Sequence, residues 1–475
     1  MRSTPFNRRR ATTVGTAFLA VAALGLGACG GEEEGEQDPS SPTSAPAESS
    51  EGQTSPDSED QGSGDGAGET SPEGGSDEGE SGQESPSGES GGEGGSEGDG
   101  EGGSEGDGDE GAQGDPGAGT LEPTAPEKPA NQTFLEQIEV IKGDIRPKSV
   151  VSNDRGRVIA NNMMYQHTMT LYDAQSRELV DTVSDTVDLD AFGKEGHGEV
   201  QGAPVEAVFT KDGATAYVTN YQMYGKGFSP HGGDLCEKGE VTDHGYIYEL
   251  DVATGTVTNA IEAGAVPKYA ALSPDEKTML VSNWCDFDLS VIDVESGKET
   301  GRIPLGRWAR GIAFHPDGHA YATAMGTPNV YKVDVAAQKA EVFSTPGQRI
   351  RHVVTSPDGK YVYVVASGAY KQFETSRISK LDAQTGEVLG QVHTGNEPRS
   401  MDISGDGTAL YVVNYYSNTM SKVDTETMEE IQEVPSGHHP IGITYDDATH
   451  TVWMANYVGS IQVFDDTAES AGSGE

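Results

Sequence analysis

A unit of about 42 residues recurs through the C-terminal two thirds of the chain, and this recurrence restricts the fold more than any other feature. Seven starts, at Pro147, Pro204, Pro267, Ala309, Ile350, Pro398 and Pro440, are separated by 57, 63, 42, 41, 48 and 42 residues. Each unit reads alike. A short apolar strand leads into a turn, as in "YAALSPDE", "GIAFHPDG" and "HVVTSPDG". Proline and aspartate ahead of glycine suit a tight reversal. A second strand follows in "TAYVTNY", "TMLVSNW", "YVYVVAS", "ALYVVNY" and "TVWMANY". A third alternates in "DLSVIDVESG" and "TMSKVDTETM", and a fourth in "KETGRIPLG" or "EEIQEVPSG". Alternation, β-branched residues and polar turns predict four antiparallel strands per unit.

The two ends supply the missing piece. The last unit stops after "SIQVFDD", one strand short, whereas an extra strand, "TFLEQIEVI", precedes the first. Pairing residues 134–141 with the last unit would complete it, close a ring and remove exposed sheet edges. The expectation is an all-β, seven-bladed β-propeller of four-stranded antiparallel blades, spanning 131–468 and followed by a short polar tail, 469–475. The strand order places the links entering each first strand, and those joining second to third strands, on one face. The Pro-Asp-Gly turns lie on the other. Two insertions, near 181–203 and 221–243, fall on the link face, where a rigid scaffold would present functional loops.

The segment Tyr217-Val218-Thr219-Asn220, with its variants Tyr411-Val412-Val413-Asn414 and Trp453-Met454-Ala455-Asn456, resembles the YVTN-repeat (YncE-like) β-propeller family. That resemblance covers almost all of residues 134–466 and implies the same fold.

Upstream, Arg2 and Arg8–Arg10 precede an apolar stretch ending in Leu26-Gly27-Ala28-Cys29. The pattern resembles a bacterial lipoprotein signal peptide over residues 1–28, too short for a membrane span. It implies lipid on Cys29 and a chain anchored on the extracytoplasmic side of the cell membrane. Residues 29–130 read as a disordered acidic linker rich in Gly, Ser and Glu; from 31 to 130 there are 29 acids and one base, Lys128. With so few apolar side chains, this stretch cannot offset its ordering entropy. The remaining 131–475 still holds 49 acids against 26 bases, which argues against nucleic acid as a partner.

Against that background, the residues one position after the repeat starts are Lys148, Val205, Lys268, Arg310, Arg351, Arg399 and Ile441. Five are basic, and Glu206, Tyr269 and His352 follow next. If these side chains face the axis, Lys148, Lys268, Tyr269, Arg310, Arg351, His352 and Arg399 form a ligand-binding ring for carboxylates or phosphates. The competing role for the bases is to pair with loop acids and tie blades together. Cys236, in the second insertion, and Cys285, at the equivalent link of the next blade, share a face and are expected to form a disulfide.

The loops offer scattered metal ligands, with His197, His231, Asp234 and His244 as candidates. Their spacings do not enforce convergence, and exposed loops are ordinarily polar. Met163, Met164, His167 and Met169 suit packing better than a soft-metal site, because alternation separates them. Trp284 and Trp308 are expected near blade interfaces. No nucleophile elbow, phosphate loop, dinucleotide motif or H-E-x-x-H segment occurs. The expected function is a non-enzymatic, lipid-anchored binding or scaffold protein recognising a small anion, an envelope component or a protein segment. The alternative is a metal-dependent hydrolase, such as a lactonase, using loop carboxylates or histidines.

Overall fold

The computed structural model describes residues 120–163, 166–220, 236 and 244–469. Seven four-stranded antiparallel sheets are arranged as blades, with the first strands of neighbouring blades side by side around the ring. The first strands are Ser149–Ser152, Pro204–Phe209, Pro267–Leu272, Ala309–Phe314, Ile350–Thr355, Pro398–Ile403 and Pro440–Asp446. Six of the seven begin on the residue the repeat marks as a start.

The ring closes as the two ends of the sequence suggest. Phe134–Lys142 pairs antiparallel with Ser460–Ala468 and supplies the fourth strand of the seventh blade. A short hairpin, Thr186–Asp188 with Glu199–Gln201, accounts for part of the first insertion. Residues 120–130, which composition alone assigns to the linker, hydrogen-bond to the propeller here. Leu121 N–H donates to the Arg155 carbonyl at 3.1 Å and Thr124 N–H to that of Asp447 at 3.3 Å.

Inner strands are apolar on both faces because a neighbouring blade covers each face. Ala409–Asn414 and Thr451–Asn456 are buried throughout, whereas the outer Leu179–Ser184 is largely exposed. The core therefore lies between blades: Ile159, Met169 and Leu171 of the first pack with Val218, Tyr248 and Leu250 of the second.

Two local devices repeat. In blades three to seven the residue before the first strand adopts a left-handed conformation, with φ of 56° at Val266, 63° at Trp308, 52° at Arg349, 54° at Glu397 and 58° at His439. Non-glycine residues avoid this region unless their surroundings hold them there. It turns the chain inward and delivers the next residues to the axis. The second device is the asparagine ending the second strand. Asn283 Nδ2 donates to Asp288 and to Ser290 Oγ, both at 2.8 Å, while its Oδ1 accepts the Gly264 N–H at 3.0 Å. Asn162, Asn414 and Asn456 likewise donate to third-strand side chains. The Tyr-Val-x-Asn pattern thus encodes a buried strand that ends in a link-pinning amide.

Opposite the links, the turns are capped by a hydroxyl. Ser273, Ser356 and Ser404 donate to Asp275, Asp358 and Asp406 at 2.7, 2.7 and 2.6 Å. Blades one, four and seven depart from this rule, with Asn153, His315 and Asp446 in the hydroxyl's place.

Candidate functional site

All seven axial candidates converge. Lys148, Lys268, Tyr269, Arg310, Arg351, His352 and Arg399 line one neck of about 40 Å³, together with Glu206 and Ser400. The pairing role weighed for the bases is visible in the geometry. Arg351 and Arg399 each reach Glu397 Oε1 at 2.9 Å, joined by Arg349 at 3.1 Å, and so tie blade five to the link entering blade six. Arg351 Nε also donates to Ser367 Oγ at 2.7 Å, and several of the bases lie over aromatic rings. Lys268 and Arg310 lie over Trp284 at 5.3 and 5.8 Å, and Arg399 lies 3.6 Å from the Tyr415 ring centroid. Such faces attract cations. Trp284 also stacks on Trp308 at 5.6 Å, as interface packing predicts.

Toward the turn face the neck widens into a cavity of about 710 Å³, and Glu206, Tyr269, His352 and Ser400 border both spaces. Burial, then the charge of Arg310, pulls His352 down to about 4, so its ring is neutral. Burial pushes the enclosed Glu206 carboxyl up to about 8, although the residue keeps partial exposure to the cavity.

A second cluster lies on the turn of blade four. His315, Asp317 and His319 bring their donor atoms within 4.8 Å of one another. The hydrogen bonds fix both tautomers. His315 Nε2 lies 2.7 Å from the Gly359 carbonyl, which only accepts, so Nε2 carries the proton. Its Nδ1 accepts the Asp317 N–H at 3.2 Å. Tyr321 donates its hydroxyl proton to the Ala383 carbonyl at 2.6 Å, so at 3.0 Å it accepts from His319 Nε2. His315 Nδ1 also lies 2.9 Å from Asp317 Oδ1, and His319 Nδ1 is in close contact with the same oxygen.

Burial and the nearby Lys332 charge hold His319 below the ordinary imidazole range, with Asp317 opposing. Partial burial would raise the Asp317 carboxyl, but the His319 N–H and the two imidazoles hold it below the usual value. At metal–ligand bonds near 2.0–2.2 Å, tetrahedral geometry separates donors by about 3.3 Å, so both imidazoles would have to draw back from Asp317 Oδ1 to share an ion, His319 further than His315. Two histidines and one carboxylate with open positions form a donor set of the Zn²⁺ or Fe²⁺ kind.

The loop candidates do not gather in this way. His231 and Asp234 lie outside the described residues. His244 faces Glu262 at 3.1 Å, and His197 packs edge-on against Tyr246. Met163 and Met169 are buried in separate apolar clusters, and His167 binds Asp185 at 2.9 Å. Cys236 and Cys285 form the expected disulfide, with Cα atoms 5.4 Å apart. Sequence reading missed His315 and His319 because "GIAFHPDG" registers as one more turn. The signal was comparative and partial: four aligned turns carry Thr210, Ser273, Ser356 or Ser404, whereas blades one, four and seven carry Asn153, His315 and Asp446.

Comparison with known proteins changes the family reading. The cytochrome D1 heme domain family matches residues 329–452. Among solved structures, hydrazine synthase of Kuenenia stuttgartiensis superposes with a TM-score of 0.53 at 19% identity, covering 68% of this chain and 96% of that one. No curated protein matches. The fold is thus shared with that structure.

Several expectations are corrected accordingly. The YVTN-repeat assignment gives way to the cytochrome D1 heme domain match; the Tyr-Val-x-Asn strand reflects blade packing and link pinning, which do not mark one family. The preference for a non-enzymatic binding or scaffold module is overturned by the same match and by the His315–Asp317–His319 donor set. Neither comparison supports a lipid-anchored extracytoplasmic lipoprotein. The described cysteines are consumed in one disulfide and leave no thiol there for a lipid partner, while Cys29 lies outside the described residues. Among the described residues, no helix is long and apolar enough to cross a membrane.

The axial space does not fit a haem. The neck has room for a few waters, and His352, the imidazole lining the wider cavity, commits both nitrogens. Nδ1 accepts the Met401 N–H at 3.0 Å and Nε2 meets the Tyr269 hydroxyl at 3.0 Å.

Proposed function

We propose that the chain is a metal-dependent enzyme of the hydrolytic class, with a divalent ion held by His315, Asp317 and His319. One observation carries this reading: the donor atoms of His315, Asp317 and His319 all lie within 4.8 Å of one another on one turn. A bound Zn²⁺ or Fe²⁺ would polarise a carbonyl oxygen and lower the pKa of a coordinated water.

The protein supplies orientation and access. Gly359 and Tyr321 lock the rings, and Asp317, which is largely exposed, borders a groove of about 540 Å³ between blades three and four. Pro274, Val291, Phe314 and Val335 give the groove an apolar wall, while Asp275 and Gln338 give it polar contacts. This combination suits a substrate with an apolar body and a carbonyl to be cleaved.

The test is turnover. Protein loaded with Zn²⁺ or Fe²⁺ should hydrolyse members of a panel of esters and lactones, and chelation should abolish the activity. His315→Ala and His319→Ala should each reduce it by at least about a hundredfold. Activity that survives both chelation and the His319→Ala change would overturn the assignment.

A further inference from the structure

The axial neck carries a second chemistry, independent of the turn of blade four. Its central feature is a hydrogen-bond relay whose direction is fixed. The Met401 N–H donates to His352 Nδ1 at 3.0 Å, with the Ser400 hydroxyl also close at 3.3 Å. A backbone N–H only donates, so Nδ1 carries the lone pair and the neutral ring holds its proton on Nε2. That proton goes to the Tyr269 oxygen at 3.0 Å. Tyr269 is thereby an acceptor from the histidine, and its own O–H is left to donate elsewhere.

Tyr269 borders both the neck and the wider cavity, so the space available to that proton is axial. The ring of Lys148, Lys268, Arg310, Arg351 and Arg399 surrounds the same space. Enclosed by low-dielectric walls, these cations create a local positive field in a chain of strongly negative net charge. Their contacts with Glu397 and with aromatic faces hold them in place, and they act through position and charge. Glu206, the acid in the ring, is protonated at neutral pH and does not oppose that field.

We propose that the axial neck binds a small oxyanion, a carboxylate or an inorganic oxyanion, with the Tyr269 hydroxyl donating the directing hydrogen bond inside the ring of five cations. A neck of about 40 Å³ matches the volume of roughly three waters, which selects a group of about three to five heavy atoms. Larger anions would enter by one such group, with the remainder in the 710 Å³ cavity.

The experiment is calorimetric titration of the full-length protein, in a non-coordinating buffer at fixed ionic strength, with acetate and inorganic phosphate separately. One saturable equivalent of either supports the proposal, and the anion that binds identifies the source. Tyr269→Phe, which keeps the ring and removes the donor, should weaken binding at least about tenfold with an unchanged unfolding midpoint. Arg310→Gln should weaken it as well, giving a second reading if Tyr269→Phe is unstable. His319→Ala should leave affinity unchanged, which keeps this outcome separate from the metal assignment. No saturable binding of either anion, or equal affinity in the wild type and Tyr269→Phe, overturns it.

Discussion

Replacing Lys422 by methionine tests how the ring is fastened. Lys422 and Asp466 are fully buried and join the third strand of blade six to the third strand of blade seven. Lys422 Nζ donates to the Thr133 carbonyl at 2.8 Å and contacts its hydroxyl at 3.1 Å, just before the closing strand. Tyr411 donates to the other Asp466 oxygen. Burial pulls Lys422 down and pushes Asp466 up, with the mutual attraction opposing each shift. Removing the cation leaves a buried carboxylate without its counter-charge, a change that costs about 3–5 kcal/mol. With an unfolding entropy of about 2.1 cal/mol/K per residue over roughly 340 folded residues, 1 kcal/mol moves the midpoint by about 1.4 °C. Lys422→Met should therefore lower the calorimetric midpoint by about 4–7 °C. Adding Asp466→Asn removes the stranded charge while keeping an acceptor for Tyr411, and should recover more than half of the loss. A single-variant shift under about 1 °C, or a double variant no better than the single, would refute the reasoning.

Other consequences follow from the same structure. Cys285→Ser opens a link spanning 49 residues in sequence; loop-closure entropy puts the loss at up to about 4 kcal/mol, and reductant should lower the wild-type midpoint but not the variant's. Glu206→Gln should alter the pH dependence of stability. The folded carboxyl titrates near 8, well above its unfolded value, so between about pH 4.5 and 8 the folded state holds a proton that the unfolded state lacks. Stability therefore falls with rising pH through that window. The glutamine variant should lack this fall and exceed the wild type at pH 8 by up to a few kcal/mol, as read from urea midpoints; parallel profiles would contradict the burial of Glu206.

The blade count, strand order and closing strand are legible in the sequence because each depends on a local pattern that repeats. Alternation marks strands, the turn residues mark reversals, and the unmatched strands at the two ends mark the seam. The axial ring is legible for the same reason: once Pro267, Ala309, Ile350 and Pro398 are aligned, Lys268, Arg310, Arg351 and Arg399 occupy one register. The relay through His352 is not, since Met401 and Tyr269 are brought to that ring by different blades. The His315–Asp317–His319 cluster was readable only as a deviation. Its residues sit in a turn that the repeat explains without them, and the decisive acceptors, Gly359 and Ala383, come from elsewhere in the fold. The family reading failed for a related reason, because Tyr217-Val218-Thr219-Asn220 describes what a buried second strand needs in any such blade.

The central claim is the metal centre on the turn of blade four, and metal content tests it most directly. Protein equilibrated with Zn²⁺, or anaerobically with Fe²⁺, and then freed of excess ion should retain one equivalent per chain by elemental analysis. The doubly substituted His315→Ala, His319→Ala protein, folded by circular dichroism, should retain none. Equal metal in the two proteins, or none in the wild type with either ion, would contradict the account.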